Sequence, residues 1–336
     1  MLAIAPPPAP PASIPSPSRN AWHLGPFSLR AYALCILAGV FIAVWWTSRR
    51  YRARGGDGDT VLDVAVLSVP VGILGARLYH VITSPDAYFG PGGDPVRIVQ
   101  IWRGGLGIWG GVAAGLAAAA WLMRRRGLRL APLTDAVAPA LLVAQAVGRV
   151  GNWFNQELFG APTALPWGLE IDDAHLPAGC APGTLFHPTF LYEALWNLAG
   201  AALLVLLERR LRRRDGTTGG RLIWAYLMVY TAGRAWIEHL RVDEAAIVLG
   251  LRLNEWTAMI VFLVGLVGFV AAGRRGADDA VARRRPEPAP AVGPDSAPEP
   301  GDEDQDATLE GPHGDTERGS DDDDRARGGK DRKSVV

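Results

Sequence analysis

Seven long apolar stretches, separated by polar segments, constrain this chain more than any other feature of its sequence. A helix needs about 20 mostly apolar residues to cross the hydrocarbon core of a bilayer. Within lipid the backbone must also satisfy its own hydrogen bonds, which a helix does. The stretches therefore predict an all-α, polytopic membrane protein with about seven transmembrane helices. We place these helices at residues 29–47, 61–82, 106–123, 133–147, 188–207, 222–239 and 254–272.

Four clusters of arginine predict how these helices are oriented. The clusters follow the first, third, fifth and seventh helices, so seven crossings place all of them on one side of the membrane. Loops rich in Arg and Lys stay in the cytoplasm. The N-terminus is then outside and the C-terminus cytoplasmic. The clusters are Arg49, Arg50, Arg52 and Arg54; Arg124, Arg125, Arg126 and Arg129; Arg209, Arg210, Arg212, Arg213, Arg214 and Arg221; and Arg274 and Arg275.

The composition changes at both ends of the chain. Residues 1–23 are rich in Pro and Ala and lack the basic start and continuous apolar stretch of a signal peptide, which predicts a disordered leader. Residues 273–336 are dominated by charged residues, Pro and Gly, which predicts a disordered, charged cytoplasmic tail. The transmembrane domain is expected between them, at residues 24–272.

Overall charge and short motifs exclude several classes of function. Lys and Arg total 34 and Asp and Glu total 34, so no net positive charge points to nucleic acid as a partner. The two cysteines, Cys35 in an apolar stretch and Cys180 in a polar loop, do not form a disulfide framework. The sequence holds no phosphate-binding loop ending in Gly-Lys-Ser/Thr, no HExxH and no CxxC. We therefore predict no metal and no cofactor.

The most polar segment near a predicted membrane boundary is 148–160, where the fourth helix reaches the outer face. Arg149, Asn152, Asn155 and Glu157 are costly groups there unless they bind something or one another. A lone arginine would more often cap the helix and extend towards water. Two amides and a carboxylate close by, bracketed by glycines, favour a binding site instead.

A second polar segment, 187–193, begins the fifth predicted helix. Pro188 suits the first turn of a helix. Glu193 near the start is favoured by the helix dipole, so it could simply stabilise the helix. His187 is either an N-terminal cap or a loop residue. We interpret this segment as a wall of a site.

A third segment, 233–241, places Arg234, Glu238 and Arg241 at i, i+4 and i+7, on one face of a helix. One interpretation is an internal ion pair that neutralises Arg234 and Glu238. The other is an arginine held by its carboxylate and directed at a phosphate. The two interpretations are compatible.

Glycines between residues 105 and 115 also form a pattern. Gly105 to Gly110 matches Gly-x-Gly-x-x-Gly, which can mark a dinucleotide-binding loop. No βαβ pattern surrounds it. We favour the interpretation that the glycines allow two membrane helices to approach closely, with Gly107, Gly111 and Gly115 at four-residue spacing.

Arg77 lies in the second predicted helix, where an unpaired charge would be costly. We expect it to pair with a carboxylate such as Asp135 or Glu193.

These segments resemble the prolipoprotein diacylglyceryl transferase family. Segment 148–160 matches the family pattern Gly-Arg-x-Gly-Asn-x-x-Asn-x-Glu-x-x-Gly at every defining position. Segment 187–193 resembles the family's His-Pro-x-x-Leu-Tyr-Glu, and 233–241 resembles the region of a second essential arginine. Shorter matches occur at 24–32, which includes Tyr32, and at 252–256. The similarity extends over about residues 24–270, so the predicted transmembrane domain would be the transferase domain.

The resemblance implies an enzyme of the bacterial plasma membrane and its two substrates. The diacylglyceryl group of phosphatidylglycerol, a membrane lipid, would pass to the lipobox cysteine of a prolipoprotein signal peptide. A thioether would form and glycerol 1-phosphate would leave, in the first step of lipoprotein maturation.

The resemblance also implies roles for individual residues. Arg149 and Arg234 would hold the phosphate, because a guanidinium binds phosphate oxygens through two parallel hydrogen bonds. Tyr32 and Asn152 would orient the headgroup. Glu157 or Glu238 would support the arginines or the proton transfer. The remaining substrate-binding residues would be Asn155, Gly160, His187, Tyr192 and Glu193.

The identity of the general base stays open at this level. Many family members carry a histidine where this chain has Trp109, and an indole cannot accept a proton in that role. Glu157, Glu238, His187 and water are the alternatives.

Two other classes of function compete with a transferase. Intramembrane arginines can line an anion path in a transporter, although such proteins often contain repeats and we find none. A non-catalytic scaffold would depend on its tail, so deletion of residues 274–336 would abolish its function but not that of an enzyme.

Overall fold

The computed structural model describes residues 13–24, 27–241, 247–275 and 281 of the chain. Seven long helices occur within these residues, each overlapping one of the predicted apolar helices. They are α1 (Ala31–Arg52), α2 (Gly58–Thr83), α4 (Ile108–Arg125), α5 (Leu130–Asn155), α6 (Thr189–Asp215), α7 (Arg221–Leu240) and α8 (Leu253–Arg274), with a four-residue helix α3 (Asp86–Phe89) between α2 and α4.

Five of the long helices in the described part of the chain are long and apolar enough to cross a membrane: α1, α2, α5, α6 and α8. The other two do not meet that criterion. Helix α4 is rich in Ala and Gly and ends in arginines, and α7 contains Arg234 and Glu238. The chain is thus a mainly helical, multi-pass membrane protein, and the crossing of α4 and α7 stays a prediction.

Helix α5 forms the centre of the bundle, because α1, α6 and α7 all pack against it. Ala138 and Leu142 of α5, Leu204 of α6 and Leu222 of α7 are buried together in one apolar cluster. Helix α5 is also longer than the predicted 133–147. It continues to Asn155, so most of the polar segment 148–160 lies on the last turns of this helix rather than in a loop.

Helices α2 and α4 form a close pair through their glycines. A Cβ atom added to Gly110 would lie 2.3 Å from the carbonyl oxygen of Gly75, and one added to Gly75 would lie 2.6 Å from the carbonyl oxygen of Gly110. Gly111 and Gly115 face the same partner helix. The interpretation of these glycines as helix-packing residues is confirmed.

Within the described residues, three short antiparallel strand pairs lie outside the helices, and the all-α prediction did not include them. The pairs are β1 (Ala21–Leu24) with β2 (Phe27–Arg30), β3 (Leu169–Glu170) with β4 (Leu185–Phe186), and β5 (Ile247–Val248) with β6 (Leu251–Arg252). Each strand is only two to four residues long, too short for a periodic pattern to predict it.

Of the predicted leader, residues 1–23, the structure describes residues 13–23. The amide of Ile14 donates to the carbonyl of Gly168 at 2.9 Å, and the amide of Glu170 donates to the carbonyl of Ile14 at 2.9 Å. Residues 13–23 are therefore bound to the rest of the chain by backbone hydrogen bonds, which do not require an apolar sequence. Residues 1–12 lie outside the described residues.

The predicted tail, 273–336, also falls almost entirely outside the described residues. Within it, Gly273 and Arg274 complete α8, and the carbonyl of Val281 accepts a hydrogen bond from the amide of Arg129 at 2.8 Å.

The prediction that Arg77 pairs with Asp135 or Glu193 is wrong. The Arg77 side chain is buried and donates to Tyr88 Oη at 3.0 Å and to backbone carbonyl oxygens of the loop before α4. Five carbonyls accept from it, those of Arg97, Ile98, Gln100, Gly104 and Gly105. A guanidinium carries five N–H donors, and here the loop wraps around them.

Candidate active site

Arg149 and Arg234 meet at one carboxylate, that of Glu193. Arg149 Nη2 lies 2.6 Å from Glu193 Oε2, and Arg234 Nη1 lies 3.9 Å from Glu193 Oε1. The three residues come from α5, α7 and α6. The Glu193 side chain is only 7 % exposed, whereas the arginine side chains are 20 % and 22 % exposed. The carboxylate thus lies behind two guanidinium groups that remain partly accessible.

Close packing of α6 and α7 brings Arg234 to this position. Gly233 precedes it, and a Cβ atom there would lie 2.3 Å from Trp196 Nε1. With no side chain at Gly233, the Trp196 indole reaches α7 and donates to the carbonyl of Val229 at 2.9 Å. The small residue therefore permits the helix contact that aligns Arg234 with Glu193.

A second carboxylate, Glu238, holds Arg234 from within its own helix. Arg234 Nη2 lies 2.7 Å from Glu238 Oε2, which confirms the predicted i, i+4 pair. Asn254 Nδ2 donates to Glu238 Oε1 at 2.9 Å, and Arg252 Nη1 lies 3.3 Å from the same oxygen. Glu238 is 1 % exposed and surrounded by donors. Arg241, predicted on the same helical face, lies one residue beyond the end of α7.

The end of α5 presents a third carboxylate, Glu157, which is exposed. Asn152 Nδ2 and Asn155 Nδ2 both donate to Glu157 Oε1, at 2.9 and 3.2 Å. Arg149 Nη1 in turn donates to Asn152 Oδ1 at 3.4 Å. The four polar residues predicted to form a site in segment 148–160 are therefore joined by hydrogen bonds.

Gln156 shapes this end of α5, and the sequence interpretation did not include it. Its backbone is left-handed, with φ of 51°, which ends the helix. Its side chain is buried, donates to Asp172 Oδ2 at 2.5 Å, and accepts from the amide of Asp172 at 2.8 Å. These bonds hold the turn that separates Asn155 from Glu157. Gln156 occupies a variable position of the family pattern, so the sequence offered no signal for it.

Tyr32 of α1 lies beside the same segment. A Cβ atom on Gly151 would lie 2.8 Å from Tyr32 Cδ2, so this glycine lets the ring of α1 pack against the backbone of α5. The tyrosine is 37 % exposed. It therefore forms part of the accessible surface next to Arg149 and Asn152.

Gly160, His187 and Tyr192 form an adjoining wall. The amide of Gly160 donates to the carbonyl of His187 at 2.9 Å, and a Cβ atom on Gly160 would lie 2.8 Å from His187 Cβ. His187 Nδ1 is 3.3 Å from Tyr192 Oη, which also accepts from Trp167 Nε1 at 3.1 Å. Among the described residues, the side chains of His187 and Tyr192 make a polar contact with each other, and Tyr192 also makes one with Trp167.

Trp109 lies on the first turn of α4 and is 51 % exposed. Its helix packs mainly against α2. Within the residues that the structure describes, no group of three or more His, Cys, Asp or Glu side chains is arranged to hold a metal ion.

Comparison with known proteins identifies the family. The family model described as prolipoprotein diacylglyceryl transferase matches residues 19–271. A Streptomyces coelicolor protein named phosphatidylglycerol–prolipoprotein diacylglyceryl transferase 2 is 53% identical over 265 residues, covering 79% of this chain and 82% of its own. Proteins named phosphatidylglycerol–prolipoprotein diacylglyceryl transferase from Bifidobacterium adolescentis and Cutibacterium acnes are each 51% identical, covering 79% and 78% of this chain and 81% and 88% of their own. With its signature residues joined in one site, the chain belongs to the prolipoprotein diacylglyceryl transferase family.

Proposed function

We propose that this chain transfers the sn-1,2-diacylglyceryl group of phosphatidylglycerol to the lipobox cysteine of prolipoprotein signal peptides. The reaction takes place in the plasma membrane and is the first step of bacterial lipoprotein maturation. The observation that carries the proposal is the meeting of Arg149 and Arg234 at the buried Glu193. The names of the relatives supply both substrates.

The reaction replaces one bond at the glyceryl carbon by another. The cysteine sulfur forms a C–S bond, the C–O bond to the phosphate breaks, and the electron pair leaves with glycerol 1-phosphate. Negative charge grows on the departing phosphate. Two guanidinium groups fixed in advance stabilise that charge without reorganising, and electrostatic stabilisation of this kind is usually the largest contribution to catalysis.

The surrounding residues then take distinct roles. Glu193 and Glu238 hold the arginines, because both carboxylates are buried and ion-paired. Tyr32 and Asn152 orient the headgroup beside Arg149. The thiolate is the nucleophilic form, so a group must take the thiol proton. We assign that proton to water or to the exposed Glu157, since the buried Glu193 and Glu238 are closed to solvent and ion-paired.

In the proposed topology the chain crosses the membrane seven times. Helices α4 and α7 cross the membrane with the other five, the N-terminus is outside, and residues 273–336 are cytoplasmic. Support comes from the arginine clusters, which lie at the C-terminal ends of α1, α4, α6 and α8. The transferase domain covers residues 24–272.

Purified protein in proteoliposomes tests the proposal directly. With phosphatidylglycerol and a lipobox peptide, mass spectrometry should detect the peptide plus one diacylglyceryl group. Binding of a small anion with no covalent product would favour a transporter.

Arg149→Lys tests the role of the guanidinium. It retains the charge but loses the two parallel donors, so we expect kcat/KM to fall by about 100-fold or more. Arg209→Lys, an exposed position near the other end of α6, is the control and should remain within about two-fold. Near-normal activity of the Arg149 variant would refute the bidentate role.

A further inference from the structure

Residues 13–17, which we call the N-terminal strap, lie against the C-terminal end of α5 and against the β3–β4 sheet. Ile14 pairs with Leu169 of β3 in parallel orientation, so the strap extends that sheet by one bridge. Its amide and carbonyl both form hydrogen bonds to the chain around β3. Ser16 Oγ also donates to the carbonyl of Glu170. The strap is therefore fixed to the sheet by backbone and side-chain hydrogen bonds.

Two carbonyl oxygens of the strap accept hydrogen bonds from side chains at the end of α5. Trp153 Nε1 donates to the carbonyl of Pro15 at 3.1 Å, and Gln156 Nε2 donates to the carbonyl of Pro17 at 3.4 Å. A proline has no amide hydrogen, but its carbonyl accepts as any other does. Both donors occupy variable positions of the family signature. The strap thus joins the end of α5 to the β3–β4 sheet.

The turn that follows α5 has a strained backbone. Gln156 and Leu158 have φ of 51° and 59°, in the left-handed region that residues with a side chain rarely adopt. Such a conformation persists only where the surrounding structure holds it, and it occurs preferentially at functional sites. Glu157 lies between these two residues and Asn155 directly precedes them. Relaxation of the turn would therefore move both side chains relative to Arg149.

The contacts that hold this turn come from different elements. Thr189 Oγ1 of α6 donates to the carbonyl of Leu158. On the other side of the turn, Gln156 Nε2 carries two hydrogens, and Asp172 Oδ2 and the carbonyl of Pro17 each accept one. The Gln156 side chain is buried, so detachment of the strap would leave one of its N–H groups without an acceptor, which is costly. The strap is thus needed to satisfy the residue that ends α5.

We infer that the N-terminal strap is a positioning element for the transfer reaction, which holds Gln156 and thereby fixes Asn155 and Glu157 beside Arg149. The inference rests on the proposed function, in which this end of α5 acts on the donor lipid. The strap lies outside residues 19–271, the part that matches the family model, so the family pattern gives no signal for it. Loss of the strap should lower kcat more than it raises KM, because misplaced groups weaken contacts made in the transition state.

Ile14→Pro detaches the strap without changing α5. Proline has no amide hydrogen, so the bond from Ile14 to the carbonyl of Gly168 is lost. In proteoliposomes we expect kcat per folded protein to fall by about 10-fold, with KM for phosphatidylglycerol and for the lipobox peptide within about three-fold. Ile14→Val is the matched control. It keeps the amide and most of the apolar side chain, so kcat should stay within about two-fold of the unmodified protein.

Gln156→Met tests whether the strap acts through this side chain. Methionine is similarly long and unbranched but has no amide, so it loses the bonds to Pro17 and Asp172. We expect kcat to fall by about 10-fold or more. The double variant with Ile14→Pro should be at most about two-fold slower than the slower single variant, because both changes remove the same contact. Losses of kcat that multiply would show that the strap acts by another route and would overturn the inference.

A milder pair of variants covers the case that Ile14→Pro does not fold. Ser16→Ala removes one hydrogen bond between the strap and the carbonyl of Glu170, and should lower kcat by about three-fold. Thr83→Ala removes a comparable bond, from an exposed hydroxyl at the end of α2 to the carbonyl of Tyr79, and should leave kcat unchanged.

Two further outcomes would overturn the inference and leave the proposed function intact. One is a normal kcat in every folded strap variant. The other is a higher KM for either substrate with an unchanged kcat, which would make the strap a binding element rather than a positioning one. Absence of any transfer from phosphatidylglycerol by the unmodified protein would instead refute the proposed function.

Discussion

At the scale of single residues, Glu193 determines how the site is built. It lies between guanidinium groups from two other helices and is largely shielded from water. The low dielectric strengthens its attraction for both, and it would make a lone charge there very costly. Helix α6 carries a second carboxylate of the same kind near its other end. Glu208 pairs with Arg50 and Arg54 of the region that ends α1.

Glu193→Gln should reduce kcat for transfer by about 100-fold, with a smaller change in KM for phosphatidylglycerol. Loss of the charge frees Arg149 to move, and a displacement of about 1 Å in a positioning group can cost that much in rate. Steady-state kinetics in proteoliposomes measure both constants. Glu208→Gln is the matched control, since it breaks an equivalent cluster on the same helix and should lower thermal stability while kcat stays near normal. Equal losses of kcat in the two variants would show that Glu193 acts only through stability.

At the scale of helices, α5 fixes the start of α7 as well as carrying Arg149. Asp135 of α5 accepts hydrogen bonds from the backbone amides of Gly220 and Leu222 at 2.9 Å and of Ile223 at 3.3 Å. The first amides of a helix have no partner within the helix, so this carboxylate caps α7 from a neighbouring element. The cap sets where α7 begins and hence where Arg234 lies.

Asp135→Ala should lower the free energy of unfolding by about 2 kcal/mol, because it removes a helix cap and leaves buried amides without an acceptor. Thermal unfolding in detergent micelles should show a clear fall in the midpoint temperature. The control is Asp63→Ala, which breaks an exposed pair with Arg126 and should cost no more than about 1 kcal/mol. An unchanged midpoint for the Asp135 variant would contradict the capping role.

At the scale of the whole molecule, the proposed site and the arginine clusters lie at opposite ends of the helices. Glu193 and Glu208 are both on α6 and are separated by about 22 Å at a rise of 1.5 Å per residue. Glu193 contacts Arg149 and Arg234, and Glu208 contacts the arginines at the end of α1. If the arginine-rich end is cytoplasmic, the site faces the outer leaflet.

The two native cysteines offer a test of this orientation. Cys180 lies in the loop between β3 and β4 and is partly exposed, whereas Cys35 lies within α1. A membrane-impermeant maleimide added to intact spheroplasts should label Cys180 and not Cys35. The Cys180→Ser variant should lose the label. Labelling of Cys180 only after the membrane is opened would reverse the proposed topology.

Much of the fold could be predicted from short stretches of the sequence, each read by itself. Each helix contains its own apolar stretch, and the Arg234–Glu238 pair needs only the four-residue spacing of one helix. The glycines that join α2 to α4 were also visible as a pattern. The signature segment indicated the polar residues of the site, because Arg149, Asn152, Asn155 and Glu157 are neighbours in sequence as well as in space.

The sequence alone thus determined the long helices and the family, and it indicated most of the polar residues of the candidate site. Only the tertiary structure decided how those residues pair. Arg77 is bound by loop carbonyls rather than by Asp135 or Glu193, and Glu193 instead joins Arg149 to Arg234. Periodicity specifies contacts within one helix, but a contact between helices depends on the rotation and register of both. Those are set by packing across the whole bundle, which no local stretch of sequence contains.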